Sequence, residues 1–224
     1  MIEFDQLYQT AILHKGGEHR VAEYLPHIQT HADLCAQPNA YYLSRMSLRI
    51  FRAGLKHEMV DRKWPAFETA FRGFDPFSCA MLSDEDIEGL MTNKAIIRHL
   101  GKIKSVRRNG LFVRNLADEY GSFGQWLADW PADDIVGLWL YLKKQGAQLG
   151  GMSGPYFLRM VGKDTFLLTR DVVAVLVAQG VVDKVPTSQK DLRLVEAAFL
   201  EWQQQSKRSF AAISRIISMT TAAL

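Results

Sequence analysis

The chain has 224 residues and a net charge of +3, with 48% hydrophobic and 23% charged residues. This is the composition of a globular protein with a substantial core. A run of about 18 apolar residues is absent, and so is a basic start followed by an apolar stretch, so we predict no transmembrane helix and no signal peptide. The two cysteines, Cys35 and Cys79, lie far apart without metal-binding spacing and fit a reducing cytoplasm.

Helical patterns dominate the first half of the chain. Ser83 is followed three residues later by Asp86, which predicts a capping box at a helix start. A longer helix is predicted where apolar residues recur on one face, with basic residues between them. The apolar residues of that face are Ile96, Ile97, Leu100, Ile103 and Val106.

Positive charge is segregated along the chain. Residues 94–114 carry seven lysines and arginines with no acid among them, and residues 135–163 carry four more, again without an acid. Such segregation favours a surface that faces a polyanion. The alternative, a solvated helix face without a partner, stays open on charge alone.

The most informative short stretch is Leu-Gly-Gly-Met-Ser-Gly-Pro-Tyr at residues 149–156. Three glycines permit tight turns with positive φ, and Pro155 suits the first turn of a following helix. A glycine turn that leads into a helix N-terminus directs free N–H groups at one point and can hold a DNA phosphate. Glycine turns between helices are common, so an ordinary turn remains the alternative. The predicted contacts to the DNA backbone are Gly150, Gly151, Ser153, Gly154, Lys102 and Lys143.

Residues 165–168, Thr-Phe-Leu-Leu, are the one strand-like run, and they lead into the β-branched residues 172–176. A lone short strand has no partner, so we predict a loop that leads into a buried helix. A further helix is predicted from Ser188, with Val195, Phe199 and Trp202 at helical spacing. The predicted fold class is all-α.

Several motifs occur in the order and spacing of a known family. Phe-Asp-Pro at 74–76 is preceded by Ala-Gly-Leu at 53–55, and it is followed by Ile-Ile-Arg-His at 96–99 and Gly-Lys-Ile at 101–103. Leu-Lys-Lys-Gln-Gly at 142–146 then leads into the glycine turn. Over about residues 40–165 the chain resembles the 3-methyladenine DNA glycosylase I family.

This resemblance implies a helix-hairpin-helix glycosylase fold of two interlocked helical subdomains, in a single domain over 1–224 with its hairpin near 142–161. It also implies base flipping and hydrolysis of the N-glycosidic bond of an alkylated, 3-methyladenine-type purine. The expected partner is double-stranded DNA with a damaged base, bound by a monomer without a cofactor or membrane contact. The alternative is a catalytically inactive DNA-binding protein of the same fold.

The chain departs from the family in its base pocket. The family's base-recognising glutamate falls on Arg49, and its pocket tryptophan falls on His57, which a carboxylate of Glu58 or Asp61 can orient. We predict a base pocket of Tyr42, Arg49 and His57. The family's structural zinc ligands also have no counterpart, since no cysteine lies near the N-terminus and no cysteine or histidine follows residue 182. We therefore predict no metal.

Asp171 is the predicted catalytic residue. Many glycosylases of the wider superfamily carry an aspartate after the hairpin, and Asp171 lies seventeen residues after Gly154. A carboxylate there can stabilise the developing sugar cation or position the water. A strict alignment places Thr169 at that position instead, and the alternative role of Asp171 is to cap a helix N-terminus or to complement its charge.

Overall fold

The computed structural model describes residues 2–221, which form α-helices and one short 3-10 turn at Arg72–Phe74. The predicted all-α fold is confirmed for this part of the chain. The helices are α1 (Phe4–Lys15), α2 (Glu18–Glu23), α3 (His31–Ala36), α4 (Asn39–Arg52), α5 (His57–Ala70), α6 (Pro76–Ala80), α7 (Asp84–Thr92), α8 (Leu100–Tyr120), α9 (Phe123–Asp129), α10 (Ile135–Gln145), α11 (Ser153–Met160), α12 (Arg170–Ala178), α13 (Gln189–Ser206) and α14 (Phe210–Ile217).

The chain divides into two units, each assembled from separate stretches of sequence. The hairpin unit comprises residues 29–130 and 138–163, and the terminal unit comprises residues 2–28, 131–137 and 164–221 of the described chain. The chain therefore passes from one unit to the other more than once along the sequence. No helix within residues 2–221 has both the length and the apolar character needed to cross a bilayer.

The helix starts follow local side-chain chemistry. Ser83 forms the predicted capping box, since its hydroxyl accepts from the Asp86 N–H at 3.0 Å and its own N–H donates to the Asp86 carboxylate at 2.9 Å. Helix α8 begins later than predicted, so Ile96 and Ile97 precede it. The reason is an Asx turn, in which the side-chain oxygen of Asn93 accepts from the Ala95 N–H and competes with helix formation.

The long helix α8 is the centre of the hairpin unit and packs on α4, α6, α7 and α9. Its Gly110 is required by this packing, because a Cβ there would lie 2.9 Å from the backbone nitrogen of Ala80 on α6. Beside α4, the rings of Phe51, Trp64 and Phe67 lie within 6.3 Å of one another. These contacts give the unit a rigid core on which the site is built.

The Phe-Asp-Pro motif has a structural role. Phe74 is fully buried, adopts a left-handed backbone with φ of 56°, and stacks on Trp64 at 5.3 Å between ring centroids. Asp75 then caps α6 by accepting from the Ser78 N–H at 2.7 Å, and Pro76 occupies the first helical position. These residues, which are part of the motif that carries the family resemblance, fix a turn.

The terminal unit has its own aromatic core. Phe166 stacks on Phe199 at 4.3 Å, and Phe210 packs edge-on against both. Phe166 lies in the non-helical stretch before α12, so the predicted loop leading into a helix is confirmed. The buried carboxylate of Glu196 accepts from the Val136 N–H at 2.7 Å and thereby ties α13 to the start of α10.

Candidate functional site

The predicted hairpin lies between the end of α10 at Gln145 and the start of α11 at Ser153. Among its glycines only Gly151 has a positive φ, 56°, whereas Gly150 and Gly154 do not, which corrects the sequence prediction. Gly154 is required for a different reason. A Cβ there would lie 2.8 Å from the carbonyl oxygen of Leu149, which accepts from the Gly154 N–H.

Asn109 of α8 holds the hairpin loop in place. It is fully buried, and its side-chain amide donates to the Ala147 carbonyl at 3.1 Å while its side-chain oxygen accepts from the Ala147 N–H at 2.7 Å. The neighbouring Gln148 donates to the carbonyl of Gly101 at 2.7 Å. The hairpin is therefore anchored to α8 by both backbone groups of one residue.

The start of α11 leaves backbone donors open. Its N-cap residue is Met152, whose side chain makes no capping hydrogen bond. The Ser153 and Gly154 N–H groups are bonded within the loop, and Pro155 has no N–H. Within the described residues, the N–H groups of Gly151 and Met152 have no acceptor. Two adjacent amide donors at a helix N-terminus can bind an anion.

Exposed cations occur on the two helices that contact the hairpin loop, α8 and α10. Lys104 and Arg108 are exposed and share the helical face of Gly101, the residue that contacts the hairpin. Lys143 is exposed in the last turn of α10, and a Cβ added at Gly150 would lie 3.3 Å from its side chain. Lys104 and Arg108 were not among the contacts predicted from the sequence, although their spacing of four places them on one face of a helix.

Lys102 does not belong to this cationic surface, so its prediction as a DNA contact is wrong. It is buried, and its ammonium group donates to the carbonyls of Phe51 at 3.2 Å and Ala53 at 2.7 Å, at the end of α4. Burial, with a smaller effect of nearby Arg49, lowers the pKa of Lys102. The side chain satisfies helix-terminal carbonyls that would otherwise lack a donor.

A depression of about 530 Å³ opens in the hairpin unit between the end of α4, the start of α5 and α11. It brings together two of the three predicted pocket residues, Arg49 and His57, and adds Tyr156. His57 is exposed as the first residue of α5. Asp61 does not orient it, because both Asp61 oxygens accept from Arg52, at 2.8 and 2.7 Å.

Arg49 is the unusual group of this depression. Its guanidinium carbon lies 4.6 Å from the centroid of the Tyr156 ring. Its Nε is buried without a hydrogen-bond partner, and within residues 2–221 no carboxylate pairs with the guanidinium. Burial lowers the pKa of Arg49, an effect that Tyr156 opposes and Arg52 reinforces. The depression therefore contains a positive charge that this unit does not neutralise.

Tyr42 is not part of the depression, and its prediction as a pocket residue is wrong. Its ring is fully buried against Phe123 at 4.9 Å, and its hydroxyl donates to the Leu34 carbonyl at 2.6 Å. Burial raises the pKa of its hydroxyl well above the ordinary value. Tyr42 and Arg49 lie on the same helix but have different surroundings. Tyr42 packs against Phe123 of α9, whereas Arg49 contacts Tyr156 of α11.

Asp171 lies in the terminal unit, at the second position of α12, and is exposed. The cap of this helix is Thr169, whose hydroxyl accepts from the Val172 N–H at 3.3 Å. Capping is therefore not the role of Asp171, and its catalytic role stays a prediction.

In the described chain, no three histidine, cysteine or acidic side chains are grouped so that they could hold a metal.

Known proteins resemble both the central part and the whole of the chain. A stretch of 58 residues is 38% identical to DNA-3-methyladenine glycosylase 1 of Escherichia coli (strain K12), and this match spans 26% of the chain and 31% of that relative's length. The 3-methyladenine DNA glycosylase I of Staphylococcus aureus superposes with a TM-score of 0.51 at 24% identity, over 57% of this chain and 79% of its own.

A second solved structure matches almost the entire chain. The 8-oxoguanine DNA glycosylase of Methanocaldococcus jannaschii superposes with a TM-score of 0.58 at 13% identity, over 93% of this chain and 90% of its own. At these identities the two structures show the fold, which is that of the helical helix-hairpin-helix glycosylases. Residues 34–144, about half of the chain, match the methyladenine glycosylase family model. The chain therefore belongs to the methyladenine glycosylase family.

Proposed function

We propose that the protein is a DNA glycosylase of base-excision repair that binds duplex DNA and releases a modified purine. The observation that carries this proposal is the start of α11, where the open N–H groups of Gly151 and Met152 lie in the hairpin flanked by Lys143. Amide donors and exposed cations together can bind a phosphate group of the DNA backbone. Such contacts do not depend on the base sequence. Family membership then supplies the reaction class.

The reaction breaks the bond between the sugar C1′ and the base nitrogen, and the electron pair leaves with the base. The sugar becomes an oxocarbenium-like cation, to which a water adds at C1′ and loses a proton. We assign Asp171 to stabilising that cation, because an exposed carboxylate that is not used as a helix cap is available for it. The base must be flipped out of the duplex before this step.

The family suggests an alkylated purine of the 3-methyladenine type as substrate. Alkylation at a ring nitrogen makes such a base cationic and therefore a good leaving group, so stacking and exclusion of water supply much of the remaining acceleration. The second candidate function is a DNA-binding protein of the same fold without excision activity. Arg49, which stands where the family has its glutamate, favours this second candidate.

Two assays test the proposal. Binding of an undamaged duplex should weaken steeply as salt rises, and the double variant Lys104→Gln/Arg108→Gln should lower the slope of log K against log salt by about 2. The control, Lys184→Gln/Lys190→Gln, removes two exposed cations of the terminal unit and should leave the slope unchanged. Release of purine from methylated DNA separates the enzyme from the inactive binding protein, and binding that is insensitive to salt would contradict both.

A further inference from the structure

The depression around Arg49 contains a positive charge that no carboxylate within residues 2–221 neutralises. We propose that Arg49 is the specificity-determining residue of this depression, and that it selects a neutral purine with a carbonyl at position 6 over a cationic 6-aminopurine. This inference rests on the proposed function, since it treats the depression as the place where a flipped base is read. It departs from the 3-methyladenine-type substrate that the family suggests.

The geometry leaves the hydrogen-bonding edge of Arg49 available. The guanidinium carbon of Arg49 lies over the Tyr156 ring, 4.6 Å from its centroid, in a cation–π contact. The guanidinium also carries five N–H donors. No acceptor within residues 2–221 takes those donors, although the Nε is already shielded from solvent. An arginine that is held against a ring and lacks acceptors can donate two parallel hydrogen bonds from its planar guanidinium to a ligand.

Charge decides which base edge fits. Arg49 can donate hydrogen bonds but cannot accept one, so it has no favourable contact with a 6-amino group. A cationic base would also approach Arg49 and the nearby Lys56, while Arg52 is neutralised by Asp61. A 6-oxopurine instead presents O6 and N7 as adjacent acceptors, which is the bidentate pattern that arginine recognises. The depression therefore favours acceptor-bearing, neutral purines such as hypoxanthine.

The same helix provides a matched comparison one turn earlier. Arg45 lies over the ring of Tyr41 at 5.2 Å, in the same kind of cation–π contact. It lines a different depression that also contains Glu68, a carboxylate held by Ser44 at 2.7 Å. Arg45 thus lies on the same helix as Arg49 and makes the same cation–π contact. The depression that it lines, however, contains a carboxylate, Glu68. Arg45→Gln removes the same charge outside the proposed pocket.

The experiment measures binding independently of excision. Two duplexes carry either hypoxanthine or adenine opposite an abasic site, on a 2′-fluorinated sugar that resists hydrolysis, so that neither base is paired. The wild-type protein should bind the hypoxanthine duplex about 10-fold or more tightly, the scale of one bidentate contact to a base edge. Arg49→Gln should abolish this preference, and Arg49→Lys should lose most of it because a point charge cannot match two acceptors. Arg45→Gln should keep it.

The outcomes separate this inference from the proposed function. Equal binding of the two duplexes by the wild-type protein, or an equal loss of preference in Arg45→Gln and Arg49→Gln, overturns the inference. Excision is then measured on hypoxanthine-containing and on methylated DNA. A larger acceleration over the uncatalysed release for 3-methyladenine than for hypoxanthine also overturns the inference but leaves the glycosylase proposal intact. A binding preference without release of either base supports the inference and contradicts the enzymatic proposal.

Discussion

Two helices that follow the hairpin turn begin in opposite ways. Helix α11 begins after Met152, whose side chain cannot cap, and the N–H groups of Gly151 and Met152 stay open. Helix α12 begins after Thr169, whose hydroxyl accepts from the first turn, and it carries the exposed Asp171. The start of α11 offers N–H donors to an external acceptor. The start of α12 has its N–H group at Val172 bonded by Thr169 and presents the negative charge of Asp171.

The proposed function gives this difference between the two starts a physical explanation. A serine or threonine cap is worth about 1 kcal/mol of stability, so an apolar residue at the N-cap of α11 lowers the stability of the fold. A capping side chain would compete with a phosphate for the same donors. The start of α12 has a cap, and the function proposed for it resides in the side chain of Asp171. Changes at the two starts should therefore separate DNA affinity, excision and stability.

The largest effect is expected for Asp171→Asn. This change keeps the shape of the side chain and removes its charge, so excision of the preferred base should fall by about 100-fold, the scale of one lost electrostatic contact in the transition state. Single-turnover release of the base measures this effect. The melting temperature should hardly move, and DNA affinity should stay the same or rise slightly. Asp183→Asn, an exposed acid of the same unit, is the control. Wild-type excision by a destabilised Asp171→Asn protein would assign the residue a structural role.

Gly151→Val is expected to have the next largest effect, and it acts on binding. Nothing lies within 4 Å of a Cβ at this position, but its φ of 56° strains an L-residue, and the side chain would crowd the open amides. We expect DNA affinity to fall about 10-fold at constant salt, measured by fluorescence anisotropy, the equivalent of roughly 1.4 kcal/mol.

Gly180→Val separates strain from the binding role. Gly180 also has a positive φ, 66°, with open space around its Cβ, but it follows α12 in the terminal unit. Both variants should lose similar stability, and only Gly151→Val should lose DNA affinity. Equal affinity losses in the two variants would show that the hairpin amides do not bind DNA. A Gly154→Val variant would be less informative, because a Cβ there meets the Leu149 carbonyl at 2.8 Å and disturbs the turn itself.

The sequence was sufficient for the features that depend on local chemistry. The capping box at Ser83, the loop before α12 and the hairpin between α10 and α11 all depend on residues within a few positions of one another. The motif order also identified the family, because residues such as Asp75 fix turns whose geometry does not depend on distant contacts. Local rules are read from a single sequence with little ambiguity.

The misassigned residues are those whose surroundings come from distant elements. Lys102 shares a helical stripe with buried Val106 and Asn109, so periodicity could have placed it inside, but its acceptors lie 51 and 49 residues away. Tyr42 is seven residues before Arg49, on the same helical face, and only the packing of α9 on the start of α4 separates their roles. The role of Asn109 was missed because its partners are the backbone N–H and carbonyl of Ala147. A bond to backbone groups leaves no side-chain pattern in the sequence.

The smallest effect is expected for Thr169→Ala, and it sharpens the contrast between the two residues at the start of α12. This change removes the hydroxyl that accepts from the Val172 N–H at 3.3 Å, so the free energy of unfolding should fall by about 1 kcal/mol. Urea unfolding measures this loss, and Thr169→Ser, which keeps a hydroxyl, should recover most of it. Excision and DNA affinity should stay at wild-type values, because the cap acts within the helix while Asp171 remains in place. A 100-fold loss of excision in Thr169→Ala without loss of stability would instead make Thr169 the functional residue, as the strict alignment has it, and would remove the argument for Asp171.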